Sequence, residues 1–178
     1  MADNLDPQGG WGRLALKVAK GMKAQGHDIG FIIEKKPEDL SIPHLVVPLK
    51  LPSLNNFFYL PRILLSIRNF IKLYDVVLCY DVNPNAIILN LANLGQKRKI
   101  VIHALATYSL LGRGTPIRNF FMRWAYRRAV KVLVVSEFTK RQIEKSGFKL
   151  EKEIIVPVGV DTNFFHPLSP RPKILPYP

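Results

Sequence analysis

The sequence contains a single cysteine and no long hydrophobic run. Cys79 cannot form an internal disulfide, and its place in the apolar stretch VVLCY predicts a buried, inert thiol in a reducing compartment. No stretch approaches the roughly 18 consecutive apolar residues of a membrane-spanning helix. The start MADNLDPQGG also lacks the basic and apolar regions of a secretory signal. These absences predict a cytoplasmic protein.

Several well-known site motifs are also missing. Neither GxGxxG nor GxxxxGK[ST] occurs, so a Rossmann NAD site and a P-loop are unsupported. His27, His44 and His166 are not spaced with cysteines or acidic residues as metal ligands are, and no flanking glycines make a nucleophile elbow around Ser136. We therefore expect neither a metal nor a bound cofactor.

The composition is that of a folded protein with excess positive charge. With 178 residues, 48% of them hydrophobic, the chain can bury the core of one ordinary domain, which excludes disorder. The net charge is +13, and the segment 97–149 holds 13 basic and only 2 acidic side chains. Such a local basic field predicts an anionic partner, namely phosphate, nucleic acid or an anionic membrane.

Stretches with helical spacing alternate with short apolar runs along the chain. Leu14, Val18 and Met22, for example, lie four residues apart and predict one apolar helix face. The runs are uniformly apolar, as in strands that helices cover on both faces, so we predict an α/β fold with a doubly wound, mainly parallel sheet. The predicted helices are 11–25, 61–73, 83–94, 116–130 and 137–146, and the predicted strands are 29–33, an edge strand 45–49, 75–80, 99–103, 132–135 and 153–158.

The first strand of such a sheet is not evident. Doubly wound folds begin with an apolar strand that runs into the first glycine loop, yet only MADNLDPQ precedes Gly9 and Gly10. Either the strand is missing, or residues 1–3 are the end of a strand that begins further upstream. The sequence leaves both alternatives open.

Four residues are candidates for chemistry. Gly9 and Gly10 precede a helix whose free N–H groups and dipole favour a phosphate, although a tight turn without a ligand has the same pattern. His103 ends a strand at the sheet edge where ligands bind, and the alternative is a buried histidine bonded to a carbonyl. Ser136 is interpreted as a helix cap, beside a secondary phosphate site.

Four segments in order resemble one enzyme family. GGWGRLALKVAKGMKAQGHDIGFI, KIVIHALATYS, AVKVLVVSEFTKRQIEKSG and EKEIIVPVGVDTNFFHP cover about residues 9–167 and are similar to the N-terminal half of GT4-family retaining glycosyltransferases. The resemblance implies one Rossmann-like half of a GT-B fold. It further implies transfer of a sugar from a nucleotide-sugar donor to a sugar or lipid-linked acceptor, without a metal.

The resemblance also assigns residues. Gly9 and Gly10 match the loop that faces the donor diphosphate and sugar, and His103 matches the histidine that contacts the transferred sugar. The segment 159–161 matches the lead into the interdomain hinge, with a structural role. The acceptor side of the cleft is expected to include Trp11, Arg13, Asp81, Asn83, Thr107 and Tyr108.

The family pattern continues beyond the end of this chain. We expect residues 1–167 to be the acceptor-side domain and the proline-rich segment 168–178 to be a linker toward an absent donor-binding domain. With only half of the cleft, the 178-residue chain is expected to have no appreciable transferase activity on its own.

A membrane surface is a second expected partner. In TPIRNFFMRWAYRRAVK the residues Arg123, Arg127 and Lys131 are spaced as one helical stripe beside Phe120 and Trp124, which suits an anionic membrane interface. Alternatively, the aromatic rings pack into the core and the arginines are merely solvated. A second expected membrane contact is formed by Phe57 and Phe58.

Two other classes of function remain as alternatives. A nucleic-acid-binding module would use the same positive charge, but no zinc finger, RRM signature or basic heptad region occurs. A noncatalytic basic subunit that binds membrane lipid or nucleic acid is the other alternative, and a docking element in place of the proline-rich segment would favour it.

Overall fold

The computed structural model describes residues 1, 5, 10–36, 40–48, 59–105, 115–150, 153–159 and 162, without the side chain of Trp11. Five helices and six strands form this part of the chain. The helices are α1 (Gly10–Ala24), α2 (Leu60–Ile71), α3 (Ile87–Ala92), α4 (Pro116–Arg128) and α5 (Glu137–Lys145). The strands are β1 (Phe31–Ile33), β2 (His44–Val46), β3 (Val76–Tyr80), β4 (Lys99–Ala104), β5 (Lys131–Val134) and β6 (Glu153–Ile155).

All described strand pairs are parallel, as the uniformly apolar runs predicted. Four strands form one sheet in the order β3-β4-β5-β6, so each strand is joined to its neighbour through a helix on the sheet surface. The register places Tyr80 beside His103 and Ile102 beside Val132. The carboxyl ends of these strands therefore lie along one edge of the sheet.

Helices cover both faces of the four-stranded sheet. On one face, Cys79 and Ile102 pack in a core with Ile67 of α2, Leu89 of α3 and Met122 of α4. The opposite face forms a second, smaller cluster, in which Leu78 and Tyr80 of β3 pack with Ala15 and Ala19 of α1 and with Phe31 of β1. This arrangement confirms the predicted doubly wound α/β fold.

The described strands form two separate sheets, whereas the sequence predicted one. β1 and β2 form a separate two-stranded parallel sheet, and no described strand joins β1 to β3. Met1 lies beside β3 instead, with its amino group 2.6 Å from the carbonyl oxygen of Leu78 and its own carbonyl oxygen 3.0 Å from the backbone nitrogen of Tyr80. Among the described residues, Met1 thus occupies a strand position beside β3.

The end of α4 differs from the predicted helix 116–130. The helix ends at Arg128, because Ala129 is extended (φ −64°, ψ 139°) and the backbone N–H of Val130 donates to the carbonyl of Ile100 in β4. Lys131 is already the first residue of β5. The prediction that Lys131 continues the basic stripe of this helix is therefore wrong.

The other predicted helices and strands are present at the predicted positions, but several are shorter than predicted. The segment predicted as one short helix is an irregular turn over Val82–Ala86 followed by α3. The predicted strand 45–49 corresponds to β2, which pairs with β1 alone among the described strands. None of the helices within the described ranges is both long and apolar enough to cross a bilayer. The predicted linker 168–178 lies outside the described residues.

Candidate functional site

The candidate site lies at the carboxyl edge of the four-stranded sheet, next to β3 and β4. Open α/β sheets bind ligands at this edge, because loops there diverge and helix N-termini point toward it. The backbone N–H of Asp81, just after β3, donates to the carbonyl of His103 in β4 at 3.0 Å. The polar residues that follow β3 are therefore held next to the histidine that sequence analysis singled out.

His103 is buried, with 5% of its surface exposed. Its Nε2 is buried and has no hydrogen-bond partner within the described part of the chain. Burial disfavours the charged ring and lowers the pKa of His103 below 6.5. The imidazole is therefore neutral at neutral pH.

Tyr80 is the immediate neighbour of this histidine. The two ring centroids are 5.6 Å apart, with the planes tilted by 39°. Burial raises the pKa of the Tyr80 phenol to about 12, so the phenol stays protonated. The Nδ2 of Asn85 donates to the carbonyl of Tyr80 at 3.1 Å and fixes the turn after β3. Neither residue was predicted from the sequence, although the polar stretch YDVNPN after an apolar strand was a usable signal.

Asp81 has an unusual backbone conformation for a residue other than glycine. Its φ is +63° and its ψ is 163°, and only 2% of its surface is exposed. Residues other than glycine in this region cost about 1–3 kcal/mol and occur preferentially at functional sites, where the surrounding structure holds them. The backbone of Asp81 thus lies at the same sheet edge as His103, and its acceptor-side role stays a prediction.

The predicted glycine loop is only partly described. Gly10 is the first residue of α1 and is exposed, with open space around the position of a Cβ atom. The first turn of α1 contains no acidic side chain, so its free N–H groups and helix dipole favour an anion. Arg13 is exposed on the next turn. Gly9 and the side chain of Trp11 lie outside the described residues.

Ser136 caps α5, as one of its two predicted roles required. Its hydroxyl accepts a hydrogen bond from the backbone nitrogen of Thr139 at 3.1 Å and lies 3.1 Å from the hydroxyl of Thr139. Glu137 adds a negative charge to the first turn of the same helix. The Ser136 hydroxyl is therefore already hydrogen-bonded to Thr139. A phosphate at this helix terminus would have to bind the remaining backbone N–H groups.

The family model of Glycosyltransferase Family 4 matches residues 8–164. The chain belongs to Glycosyltransferase Family 4. The match includes the start of α1, the end of β4 and the cap of α5, and it confirms the family that the sequence resembles. A comparison with curated proteins finds no match.

Solved structures with a similar fold agree with this assignment. HepE from Anabaena in complex with UDP has a TM-score of 0.67 and 17% identity, and the match covers 91% of this chain and 44% of HepE. HepE in complex with UDP and glucose also has a TM-score of 0.67 at 17% identity, covering 90% and 44%. MurG from Acinetobacter baumannii has a TM-score of 0.58 and 19% identity, covering 90% and 44%. The chain therefore spans less than half the length of these proteins, and its fold is the Rossmann-like half of a GT-B fold.

Some of the remaining predicted site residues of this Family 4 chain are described by the structure, and the others are not. Asn83 is half-buried in the turn that follows Asp81, close in sequence to the candidate site, and its peptide bond to Pro84 is cis. Gly159 is exposed after β6. The predicted residues Phe57, Phe58, Thr107, Tyr108, Val160 and Asp161 lie outside the described residues.

The predicted membrane helix α4 carries both exposed and buried rings. Phe120 is 65% exposed and lies edge-to-face with Phe121, whose ring is also exposed. Trp124 instead packs partly against the core, and the guanidinium of Arg128 lies 5.4 Å from its ring centroid. Phe120 is therefore exposed, as a membrane contact requires. Trp124 instead packs partly into the core, as the alternative interpretation predicted.

The basic side chains of α4 reinforce this exposed face. Arg123 and Arg127 are exposed. The two ion pairs that form within the described ranges lie elsewhere, between Arg98 and Asp75 at 4.0 Å and between Lys140 and Glu153 at 2.9 Å. In the same part of the chain, no group of three histidine, cysteine or acidic side chains is placed to hold a metal ion.

Proposed function

We propose that this chain is the acceptor-side half of a retaining glycosyltransferase. In the intact enzyme, a sugar would pass from a nucleoside diphosphate donor to an acceptor hydroxyl, with the anomeric configuration retained. The family assignment and the fold similarity to HepE, which was solved with UDP and with UDP and glucose, support this class of substrate.

The observation that carries the proposal is the buried Nε2 of His103 without a partner at the carboxyl edge. Leaving a buried polar atom unbonded costs about 1–3 kcal/mol, and a sugar hydroxyl would recover that cost. A neutral imidazole can donate or accept a hydrogen bond, so it suits a hydroxyl better than an anionic group. We therefore assign the transferred sugar to His103 and the acceptor side to the turn containing Asp81 and Asn83.

The donor diphosphate would lie at the start of α1. The N–H groups of the first turn are directed out of the helix, and no acidic side chain opposes an anion there. Diphosphate charge would be neutralised by the helix dipole and by backbone N–H groups, together with the basic groups of a second domain. We propose no metal or bound cofactor in this step.

We also propose that the 178-residue chain is inactive alone, because it spans 44% of the length of its structural relatives. The test compares the chain alone with the chain fused to the C-terminal half of a Family 4 enzyme. Release of nucleoside diphosphate is measured over a panel of UDP-, GDP- and ADP-sugars and sugar or lipid acceptors. We expect release only from the fusion, and turnover by the chain alone would contradict the proposal.

A His103→Ala variant of the fusion tests whether His103 itself contributes to transfer. Loss of one hydrogen bond to the reacting sugar is expected to lower kcat/KM by about 10²–10³. A Phe138→Ala variant, changed at an exposed ring on α5, is the control and should retain activity. Equal activity of both variants would remove His103 from the proposed site.

A second candidate function is supported by α4. Its exposed Phe120 and Phe121, with Arg123 and Arg127 beside them, combine apolar and cationic groups as interfacial helices do. We propose that this face binds anionic lipid, so that the protein is cytoplasmic and peripheral on the inner face of the membrane. Lipid binding alone would also support the noncatalytic alternative, whereas transfer by the fusion would not.

A further inference from the structure

A basic groove lies at the amino edge of the four-stranded sheet, between the end of α2 and the turn that leads into β4. It has a volume of about 490 Å³ and is lined by Arg68, Lys72, Gln96, Lys97 and Arg98. All of these side chains except the glutamine are cationic, and none is acidic. The groove therefore concentrates positive charge around one cavity.

This groove is separate from the candidate site at the carboxyl edge. Lys99, which follows the groove residue Arg98, is the first residue of β4, and His103 is close to the other end of the same strand. The four residues from Lys99 to His103 span about 13 Å of extended strand. A small ligand in the groove would therefore not contact His103, and the proposed sugar transfer leaves the groove without a role.

Hydrogen bonds hold the turn over 93–98 against α2. The Nδ2 of Asn93 donates to the carbonyl of Arg98 at 2.9 Å, and the backbone N–H of Gln96 donates to the carbonyl of Asn93 at 3.0 Å. The Nε2 of Gln96 donates to the carbonyl of Arg68 in α2 at 3.2 Å. The two walls of the groove are thus connected before a ligand binds, which lowers the ordering cost of binding.

Arg68 has a structural role within the groove. Its guanidinium donates to the carbonyl of Ala92 at 3.4 Å and to the carbonyl of Leu94, at the end of α3. The last carbonyls of a helix lack partners within the helix, so a cation there stabilises the helix end. Arg68 therefore joins α2 to α3 and forms the fixed base of the groove.

The other three cations are less constrained. Lys72 and Lys97 are exposed, and the ion pairs within the described ranges include neither of them. Lys72 donates to the side-chain oxygen of Asn69 at 3.3 Å. Arg98 lies 4.0 Å from the fully exposed carboxylate of Asp75, and such a pair contributes little in water. These three side chains can therefore turn toward a ligand at small cost.

We propose that the groove binds a phosphate monoester group, carried either by a soluble ligand or by a lipid headgroup. Such a group has a charge of about −1.5 to −2 at pH 7 and three acceptor oxygens, which match three cations around one cavity. The guanidinium of Arg98 can bind two of the oxygens at once, and Lys72 and Lys97 supply further charge. A polynucleotide instead presents its charges along an extended surface, whereas these cations lie around one groove.

Inorganic phosphate is the probe for the 178-residue chain. Amide chemical shifts are followed by NMR at pH 7.5 while sodium phosphate replaces sodium chloride at constant ionic strength, so that general screening does not change. We expect saturating shifts at Gln96, Lys97 and Arg98. Dimethyl phosphate, a diester with one charge, should bind at least about tenfold more weakly. Absence of saturating shifts at this turn would overturn the proposal.

Paired lysine substitutions separate the groove from net charge. Lys72→Gln with Lys97→Gln should lower the affinity for phosphate at the turn at least about tenfold, because two charged contacts are lost. Lys17→Gln with Lys20→Gln removes the same charge from exposed positions of α1 and should retain the affinity. The same spectra show that each variant is folded. Equal losses in the two variants would overturn the proposal, because net charge alone would then attract the phosphate.

Two further ligands distinguish the source of the phosphate. Glycerol 3-phosphate represents a soluble ligand, and phosphatidylcholine vesicles with phosphatidic acid represent a lipid headgroup. The vesicles are tested with Phe120→Ser and Phe121→Ser in the chain, so that the α4 face does not contribute. Saturating shifts without flotation assign a soluble ligand, and flotation that the substitutions at Lys72 and Lys97 abolish assigns a lipid. Neither response would overturn the proposal for both sources.

A nucleic acid would give a different result. At the same ionic strength, a single-stranded DNA oligonucleotide that saturates the amide shifts of Lys97 and Arg98 at a lower concentration than glycerol 3-phosphate would overturn the proposal in favour of nucleic-acid binding. We expect the oligonucleotide to produce no saturating shifts at this turn.

Discussion

Tyr80 and His103 occupy directly opposite positions on β3 and β4, with their ring centroids 5.6 Å apart. The tyrosine helps to bury the histidine, and burial keeps the imidazole neutral by lowering its pKa. The same burial raises the pKa of Tyr80 to about 12. Two neutral side chains that can each form hydrogen bonds therefore lie at the sheet edge where the sugar is proposed to bind.

The lowered pKa of His103 predicts loss of stability in mild acid. In the unfolded chain the imidazole takes up a proton near pH 6.5, whereas the folded state resists protonation until a lower pH. The unfolded state thus binds more protons between the folded pKa and 6.5, and the free energy of unfolding falls as pH drops through that window. Urea unfolding at pH 7.5 and pH 5.5 measures this fall.

A His103→Phe variant is the matched control for that titration. Phenylalanine keeps a ring beside Tyr80 but carries no charge and no unbonded polar atom. We expect the decrease in unfolding free energy between pH 7.5 and pH 5.5 to be smaller in the variant than in the native chain. The same decrease in both proteins would show that His103 is not the titrating group.

The positive φ of Asp81 predicts that glycine at this position gives a more stable protein than alanine. Both Asp81→Gly and Asp81→Ala remove the carboxylate, but only glycine adopts φ +63° without steric cost. We expect the glycine variant to be more stable than the alanine variant by about 1–2 kcal/mol in urea unfolding. Alanine equal to or more stable than glycine would contradict a strained backbone at this position.

The cap at Ser136 predicts that alanine at this position lowers the stability of the protein and that aspartate largely retains it. Ser136→Ala removes the acceptor for the backbone nitrogen of Thr139 and is expected to lower stability by about 1 kcal/mol. Ser136→Asp should retain most of the stability, because aspartate is an equally good cap and its charge favours the helix dipole. Thermal unfolding of the three proteins measures the order, and an unaffected alanine variant would exclude the cap as a stabilising contact.

The exposed rings of α4 predict binding to anionic vesicles. The double variant Phe120→Ser and Phe121→Ser removes apolar surface that is exposed in the folded chain. We expect the native protein to float with vesicles that contain anionic lipid, and the double variant to bind at least tenfold less. Neutral vesicles should retain little of either protein, because the arginines of α4 then lack a counter-charge.

Phe138→Ser is the matched control for flotation. Phe138 is 69% exposed on α5, so the change in hydrophobicity is similar but lies on another helix. We expect this variant to float like the native protein. Equal losses in both variants would indicate nonspecific adhesion of exposed rings, and recovery of the native protein in the unbound fraction would exclude membrane binding.

Much of the fold was predictable because its signals are local in sequence. The four apolar runs became parallel strands, Ser136 became a cap, and Gly147 at the end of α5 has the positive φ of +88° that suits a helix end. The position of His103 followed from one further rule, that parallel strands share a carboxyl edge. Spacing alone did not reveal that α4 ends at Arg128, because the bond from Val130 to β4 decides that end.

The amino-acid sequence alone determined the family, the α/β fold class and the candidate histidine, because hydrophobic periodicity and ordered motifs are carried by neighbouring residues. Only the tertiary structure decided which groups are buried together: the ring of Tyr80 beside His103, the strained backbone of Asp81 and the strand position held by Met1. These features join residues that are far apart in the chain, and burial and hydrogen bonding between them exist only once the sheets are assembled.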